Sequence, residues 1–161
     1  MEVSNITYRP ATPEDVEGIL EVVRVGWPTG TPKAMEERHG MIGGKPWQDY
    51  QIGAVRSSVE THLDTCLVAE VDGRIAGWGV WTVDKSRCVG SIAYNAVHPD
   101  FRGQGAGTGI VERCLEKLRE AGMRIAIAGT GLGEEHAPAC HVYEEVGFRP
   151  LRKSVQYSME L

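Results

Sequence analysis

"VHPDFRGQGAGTGI", residues 97–110, sets glycine at 103, 105, 107 and 109 and puts Arg102 in front of the first. The β-rich run "CVGSIAYNAV" ends at Val97, and beyond the glycines Ile110, Val111, Cys114, Leu115 and Leu118 recur at helical spacing. A strand, a glycine-rich turn and a helix start therefore meet here. Such a junction gathers backbone N–H groups without helical partners and the positive end of a helix at one point, which makes an anion site. A plain turn between strand and helix is the alternative reading of the same residues.

Two nucleotide motifs fail on this stretch. A Walker A loop needs a lysine after its last glycine, and none occurs between Lys85 and Lys117. A dinucleotide fingerprint, G-x-G-x-x-G, would need glycine where Thr108 or Ile110 stands. Three strands in a meander also precede the turn, instead of a single strand opening a βαβ unit.

Upstream, "TCLVAEVDGRIAGWGVWTV" (65–83) reads as a hairpin turning at Asp72-Gly73, with residues 88–97 as the third strand. "VSNITYRPATPEDVEGILEVVRVG" (3–26) predicts a short strand to about Arg9 and then a helix ended by Gly26. In that helix Thr12 is the N-cap, Pro13 the first helical residue and Asp15 the partner in a capping box, with Val16, Ile19, Leu20 and Val23 on one apolar face. Residues 27–46 hold four glycines and three prolines, and predict a loop around a short helix near Lys33 to His39, long enough to wall a site. Ile52, Val55, Val59 and Leu63 then predict a helix from Trp47 that breaks at Asp64 and Thr65.

Downstream, Gly122 is placed to end the helix after the glycine turn, and "MRIAIAGT" reads as a strand. Pro138, Ala139, Val142, Tyr143 and Val146 suggest a last helix stopping at Gly147, followed by "FRPLRKSVQYSMEL" as a bent terminal strand or hairpin. The expected fold class is mixed α/β (α+β), one domain over residues 1–161 without repeat or linker.

Composition sets outer limits. The chain has 161 residues, 42% hydrophobic and 24% charged, with no run of eighteen apolar residues. "MEVSNITYRP" has neither a basic n-region nor an apolar h-region, so a cytoplasmic protein without a membrane partner is expected. Seventeen basic against twenty-two acidic residues, net −5, disfavours a nucleic-acid partner and is compatible with a cationic small substrate. Cys66, Cys88, Cys114 and Cys140 form no C-x-x-C, and read as small buried residues in a reducing compartment.

Arg102-Gly103-Gln104-Gly105-Ala106-Gly107 resembles the [RQ]-x-x-G-x-[GA] signature of the Gcn5-related N-acetyltransferases, the GNAT superfamily. "APACHVYEEVGF" resembles the second signature of that family, A-x-x-x-Y-x-x-x-G-F, through Ala139, Tyr143, Gly147 and Phe148. The element order matches over nearly the whole chain. The resemblance implies a single mixed, twisted sheet of about seven strands flanked by about four helices.

It also implies site residues. Arg102, Gly103, Gln104, Gly105, Ala106, Gly107 and Thr108 would cradle the pyrophosphate of acetyl-coenzyme A through backbone N–H groups, with a cationic side chain nearby. A Cβ at Gly103, Gly105 or Gly107 would then hold the phosphates off or strain the turn. Asn95, Ala96 and Val97 would offer backbone groups to the pantetheine arm and polarise the thioester carbonyl. Tyr143 would protonate the departing thiolate; its plain reading is a core aromatic beside Ala139 and Val146.

One position departs from the family. His136 stands where an asparagine commonly contacts the coenzyme, and reads as a substitute contact or a solvated helix-start residue ahead of a base, because a helix N-terminus disfavours imidazolium. His136, Cys140 and His141 are too few and too divergent for zinc, so no metal is expected. His98, before Pro99, reads as a turn residue.

The implied activity is acetyl transfer from acetyl-coenzyme A to a primary amine, small molecule or peptide, by direct attack in a ternary complex. Loss of chemistry would instead leave an acyl-coenzyme A-binding sensor module, and a plain nucleotide-phosphate site is a third reading. Glu36, Glu37, Asp49, Glu134 and Glu135 are candidate bases, and Trp27, Trp47, Tyr50 and Tyr94 candidate walls for the acceptor, each with a plain surface or core reading. Relatives of this kind suggest a possible homodimer.

Overall fold

The computed structural model describes residues 5–161, so Val3 and Ser4 of the expected first strand lie outside the described residues. Strand β1 (Thr7–Pro10) leads through a 3-10 turn at Pro13–Asp15 into helix α1 (Val16–Gly26). The Thr12 N–H donates to the Asp15 carboxylate at 2.8 Å, and the Asp15 N–H to the Thr12 carbonyl at 3.0 Å. The side chain expected to close the capping box therefore does so. Helices α2 (Thr31–His39) and α3 (Trp47–Thr61) follow, then strands β2 (Cys66–Val71), β3 (Arg74–Asp84) and β4 (Val89–Val97). Helix α4 (Ala106–Glu120), strand β5 (Ile125–Ala128) and helix α5 (Ala137–Glu145) complete the elements that position the site.

The strands lie in one sheet in the order β1-β2-β3-β4-β5. The first three pairings are antiparallel, and β5 runs parallel to β4. A parallel step needs a crossover, which α4 supplies. Antiparallel neighbours can turn tightly: Asp72 and Gly73 take φ of 49° and 74°, the left-handed pair that a two-residue hairpin turn demands.

Helices cover both faces of the sheet. Ile19, Leu20 and Val23 of α1 and Val55 and Val59 of α3 pack with Val68, Trp78 and Val80 on one face. Ile110, Val111 and Cys114 of α4 pack with Leu67, Ala69, Ile92 and the Tyr143 ring on the other. Helix α4 sits close because β3 carries glycine beneath it: a Cβ on Gly79 would stand 2.6 Å from the Ile110 side chain.

The last two helices end alike. At α4 the N–H groups of Gly122 and Met123 return to the carbonyls of Arg119 (2.9 Å) and Leu118 (3.0 Å). At α5 those of Gly147 and Phe148 return to Glu144 (3.1 Å) and Tyr143 (2.9 Å). Both are Schellman caps, with Gly122 at φ 78° and Gly147 at φ 106°.

Two expectations are corrected. Residues 149–161 form no strand, against the bent terminal strand or hairpin expected there; the described residues hold five strands and five α-helices, within the single mixed sheet flanked by helices that was expected. The tail has apolar residues at every second position from Val155, but a ladder also needs an edge to bind. Tyr157 is 92% exposed, while Gln156 and Ser158 bond instead to Thr31 and to Arg38 and His39 of α2. Of the cysteines, Cys66 and Cys114 are buried and burial pushes their thiols up to about 12. Cys88 is exposed in the β3–β4 turn at φ 53°, against the expectation of burial. Among the described residues no helix is long and apolar enough to cross a membrane.

Candidate active site

The site begins with a fault in the sheet. Ile92 pairs with Trp81 and Tyr94 with Val80, so Ala93 is an extra residue on β4. A bulge of this kind bends its strand and interrupts the ladder. On its other side β4 pairs with β5 from Val89 up to Ile92, opposite Ala128, and pairing stops there. Beyond the bulge, from Tyr94 to Val97, the backbone of β4 pairs with β3 alone, leaving its second edge open for an added strand-like ligand.

Tyr143 faces this open edge. Its hydroxyl donates to Asn95 Oδ1 at 3.3 Å, and its ring is 9% exposed. Burial raises the phenol above its ordinary value, so the hydroxyl keeps its proton throughout the neutral range. Two features aim the ring. It lies on α5 facing the α4 core cluster, and the Phe148 ring meets it edge-on at 5.5 Å. That contact joins the apolar residue after the C-terminal glycine to the residue opening the Schellman cap, a pairing such caps often carry.

At the end of β4 the chain turns through Pro99–Phe101. His98 Nδ1 accepts the Asp100 N–H at 3.1 Å, which makes His98 the expected turn residue. Gly103 and Gly105 then take φ of 73° and 86°. The first helical bond into α4 runs from the Gly109 N–H to the Gly105 carbonyl at 2.9 Å, so the N–H groups of Ala106, Gly107 and Thr108 have no acceptor within the helix.

Gly107 differs from its neighbours. It has no positive φ, and a Cβ there would make ordinary contacts of 3.5 Å with Val97 and 3.6 Å with Val142. The fold itself therefore does not need glycine at 107, contrary to the strain expected there. Its position does bring the turn, the end of β4 and α5 together. Thr108 adds a link, its hydroxyl donating to Glu145 at 3.0 Å, while the Gln104 amide donates to the Asp100 carbonyl at 3.1 Å.

His136 stands at the start of α5 with its ring over Gly131 and Nδ1 3.2 Å from the Thr130 hydroxyl. It lies in the segment between β5 and α5. Cys140 turns its thiol toward the Gly131 carbonyl, and among the described residues no group of three His, Cys, Asp or Glu side chains is placed to hold a metal ion.

The acceptor-wall and base candidates separate. Trp27 meets Tyr94 edge-on at 5.9 Å, and Tyr94 stacks on buried Trp78 at 6.1 Å, so these two candidates pack together against the core beneath α1 and α3. Tyr50 instead donates its hydroxyl to the Ile42 carbonyl. Glu36 accepts the Trp47 N–H at 2.6 Å and thereby caps α3, and Glu37 pairs with Lys33. Sequence reasoning missed the Ala93 bulge, the Asn95 side chain and the Phe148 contact. The last had a signal, glycine followed by an apolar residue at a helix end.

Helix, bulged strand and terminal aromatic form a recognisable combination, and a family model described as "Acetyltransferase (GNAT) family" matches residues 31–148. The chain belongs to the GNAT family. A Pectobacterium atrosepticum protein described as an acetyltransferase is 39% identical over 74 residues, 46% of this chain and 50% of that protein. The match thus spans about half the length of this curated relative. A GNAT-family structure from Desulfovibrio desulfuricans superposes with a TM-score of 0.67 at 20% identity, covering 91% of this chain and 87% of that one. The Escherichia coli ribosomal-protein-S18-alanine N-acetyltransferase gives 0.64 at 15% identity, covering 91% and 79%. A GNAT acetyltransferase from Brucella melitensis in complex with acetyl-CoA gives 0.59 at 21%, covering 91% and 84%. At these identities the superpositions establish the GNAT fold.

Proposed function

We propose that this GNAT domain moves the acetyl group of acetyl-coenzyme A to a primary amine by direct attack, with both substrates bound at once. The observation that carries the reading is the open edge of β4 from Tyr94 to Val97, lying between the N-terminus of α4 and the Tyr143 hydroxyl. A phosphate site, an extended backbone edge and a protonated phenol in that order suit a long acyl-thioester carrier with a pyrophosphate at one end.

The backbone from Arg102 to Thr108 would hold the pyrophosphate, its positive-φ glycines allowing the amides to converge on the anion. Asn95, Ala96 and Val97 would bond the pantetheine arm along the free edge, and a β4 N–H would polarise the thioester carbonyl. His136 would flank the arm from the start of α5. When bound, acetyl-coenzyme A supplies the acetyl thioester; the amine nitrogen forms the new C–N bond as the C–S bond breaks. Tyr143 gives its proton to the sulfur, and the amine loses one to water. Proximity of two held reactants supplies much of the rate. A small amine or a peptide terminus would enter past the aromatic wall of Trp27 and Tyr94.

Thermal shift and thiol release test this together. Coenzyme A at about 100 times its Kd should stabilise the protein by about 2.7 kcal/mol, and acetyl-coenzyme A should release thiol with at least one member of a broad amine panel. Equal protection by ATP or NAD would move the site to nucleotides. Coenzyme A protection without thiol release from any amine would favour an acyl-coenzyme A sensor.

A further inference from the structure

The Arg102 guanidinium is already engaged. Its Nη2 donates to the Gly26 carbonyl at 2.7 Å, joining the glycine turn to the C-terminal end of α1. Carbonyls in the last turn of a helix lack helical partners and carry the negative end of its dipole, so a guanidinium is well matched to that place. The two elements also touch directly. A Cβ on Gly26 would stand 2.8 Å from the Val97 carbonyl oxygen and 3.6 Å from Pro99 Cδ, so glycine is what lets α1 end against the exit of β4.

What leaves that point is the candidate acceptor wall. Trp27 follows Gly26 and sets its ring against Tyr94, and the Gln51 amide of α3 donates to the Thr29 carbonyl at 2.7 Å. Residues 26–30 are therefore held by α3, by β4 and by Arg102. Of these three restraints, Arg102 belongs to the turn that would bind the donor phosphates.

We propose that Arg102 is a positioning residue: its side chain holds the loop after α1 against β4, so that filling the glycine turn with coenzyme A orders the acceptor wall. The proposal rests on the reading of that turn as the pyrophosphate site, and assigns the cradle to backbone amides and the guanidinium to the neighbouring loop. An ordered turn fixes Arg102, and a fixed Arg102 lowers the cost of ordering residues 26–30, which is coupling between two sites through one side chain.

Hydrogen-exchange mass spectrometry on residues 26–34, with calorimetric titration of coenzyme A and of pantetheine, tests this without knowledge of the acceptor. In the unmodified protein coenzyme A should slow exchange in 26–34 about fivefold or more, the protection expected from one charge-assisted bond at a partly exposed site. In Arg102→Gln exchange should be fast with and without coenzyme A, while coenzyme A affinity falls by no more than about threefold. Arg102→Lys, which keeps a positively charged donor, should recover part of the protection, a rescue that a general loss of folding would not show. Loss of about tenfold or more in coenzyme A affinity, with pantetheine affinity and loop exchange unchanged, would make the guanidinium a phosphate ligand and overturn the proposal. Loop exchange indifferent to both coenzyme A and Arg102→Gln would overturn it too. Failure of the unmodified protein to bind coenzyme A would instead remove the reading on which it rests.

Discussion

Tyr143 is held from two sides, by Asn95 at its hydroxyl and by Phe148 at its ring, and burial keeps the phenol protonated. A residue so fixed loses little orientational freedom when it acts, which is what a proton donor to a leaving sulfur needs. Because its titration lies above the ordinary value of 10.0, its donor capacity should persist across neutral pH and be lost as pH rises through that raised value. Tyr143→Phe should therefore lower kcat by about a hundredfold or more and abolish the alkaline fall above pH 10, with coenzyme A affinity nearly unchanged. A pH–rate profile of the two proteins checks this, and undiminished turnover at all pH values would remove the acid role. The tyrosine was legible in the sequence from its spacing to Ala139 and to Gly147-Phe148. Its partner Asn95 was legible as backbone alone, because nothing in a strand sequence tells which side chain will meet a helix packed across it.

The glycines of the α4 N-terminus show the same divide at the scale of one element. Four glycines at alternate positions look equivalent in sequence, yet they serve different ends. Gly103 and Gly105 are required by positive φ, Gly109 because a Cβ would overlap the Tyr8 phenol, and Gly107 by neither. Gly105→Ala should destabilise the protein by about 1–2 kcal/mol, the cost of a left-handed conformation with a Cβ. Gly107→Ala should stay within about 0.5 kcal/mol, because helix propensity favours alanine and the space is there. Denaturant titration separates the two, and equal losses would mean that the turn adopts another conformation. The alternate spacing marked the turn, whereas φ and the approach of Tyr8 come from tertiary packing. The Ala93 bulge is the extreme case: "SIAYN" carries no mark of the extra residue, because a bulge is set by what the neighbouring strands pair with.

At the scale of the molecule, the two-sided sheet was legible from the order of patterned segments, since a meander followed by a crossover helix leaves few ways to cover both faces. The tail was not, because its alternation announces a strand without naming an edge. What joins β1 to the layer of α1 is an ion cluster. Arg9 donates to both Asp15 oxygens at 2.7 and 2.8 Å and to Glu70 of β2 at 2.7 and 3.0 Å. Asp15 is 8% exposed, and the Arg9 bond, ahead of its Thr12 partners, holds its carboxyl below the usual range against the opposing cost of burial. Its folded value is depressed, so the stability it contributes is complete above the unfolded value near 3.9 and is lost as pH falls through the lower folded one. Arg9→Met leaves that carboxylate buried beside apolar surface, and should cost about 2 kcal/mol at pH 7, below the range for a fully buried pair because Arg9 is one-third exposed. In the variant, Asp15 loses the partner that lowered it and titrates higher. The gap between the two proteins should then be widest at neutral pH and narrow on acidification, as the variant neutralises its stranded charge while the parent still holds its ion pair. Thermal unfolding from pH 7 to pH 3 measures it: a gap of about 4–8 °C at pH 7 that closes toward pH 3 supports the cluster as a tie between sheet and helix, and a gap independent of pH would reduce Arg9 to packing.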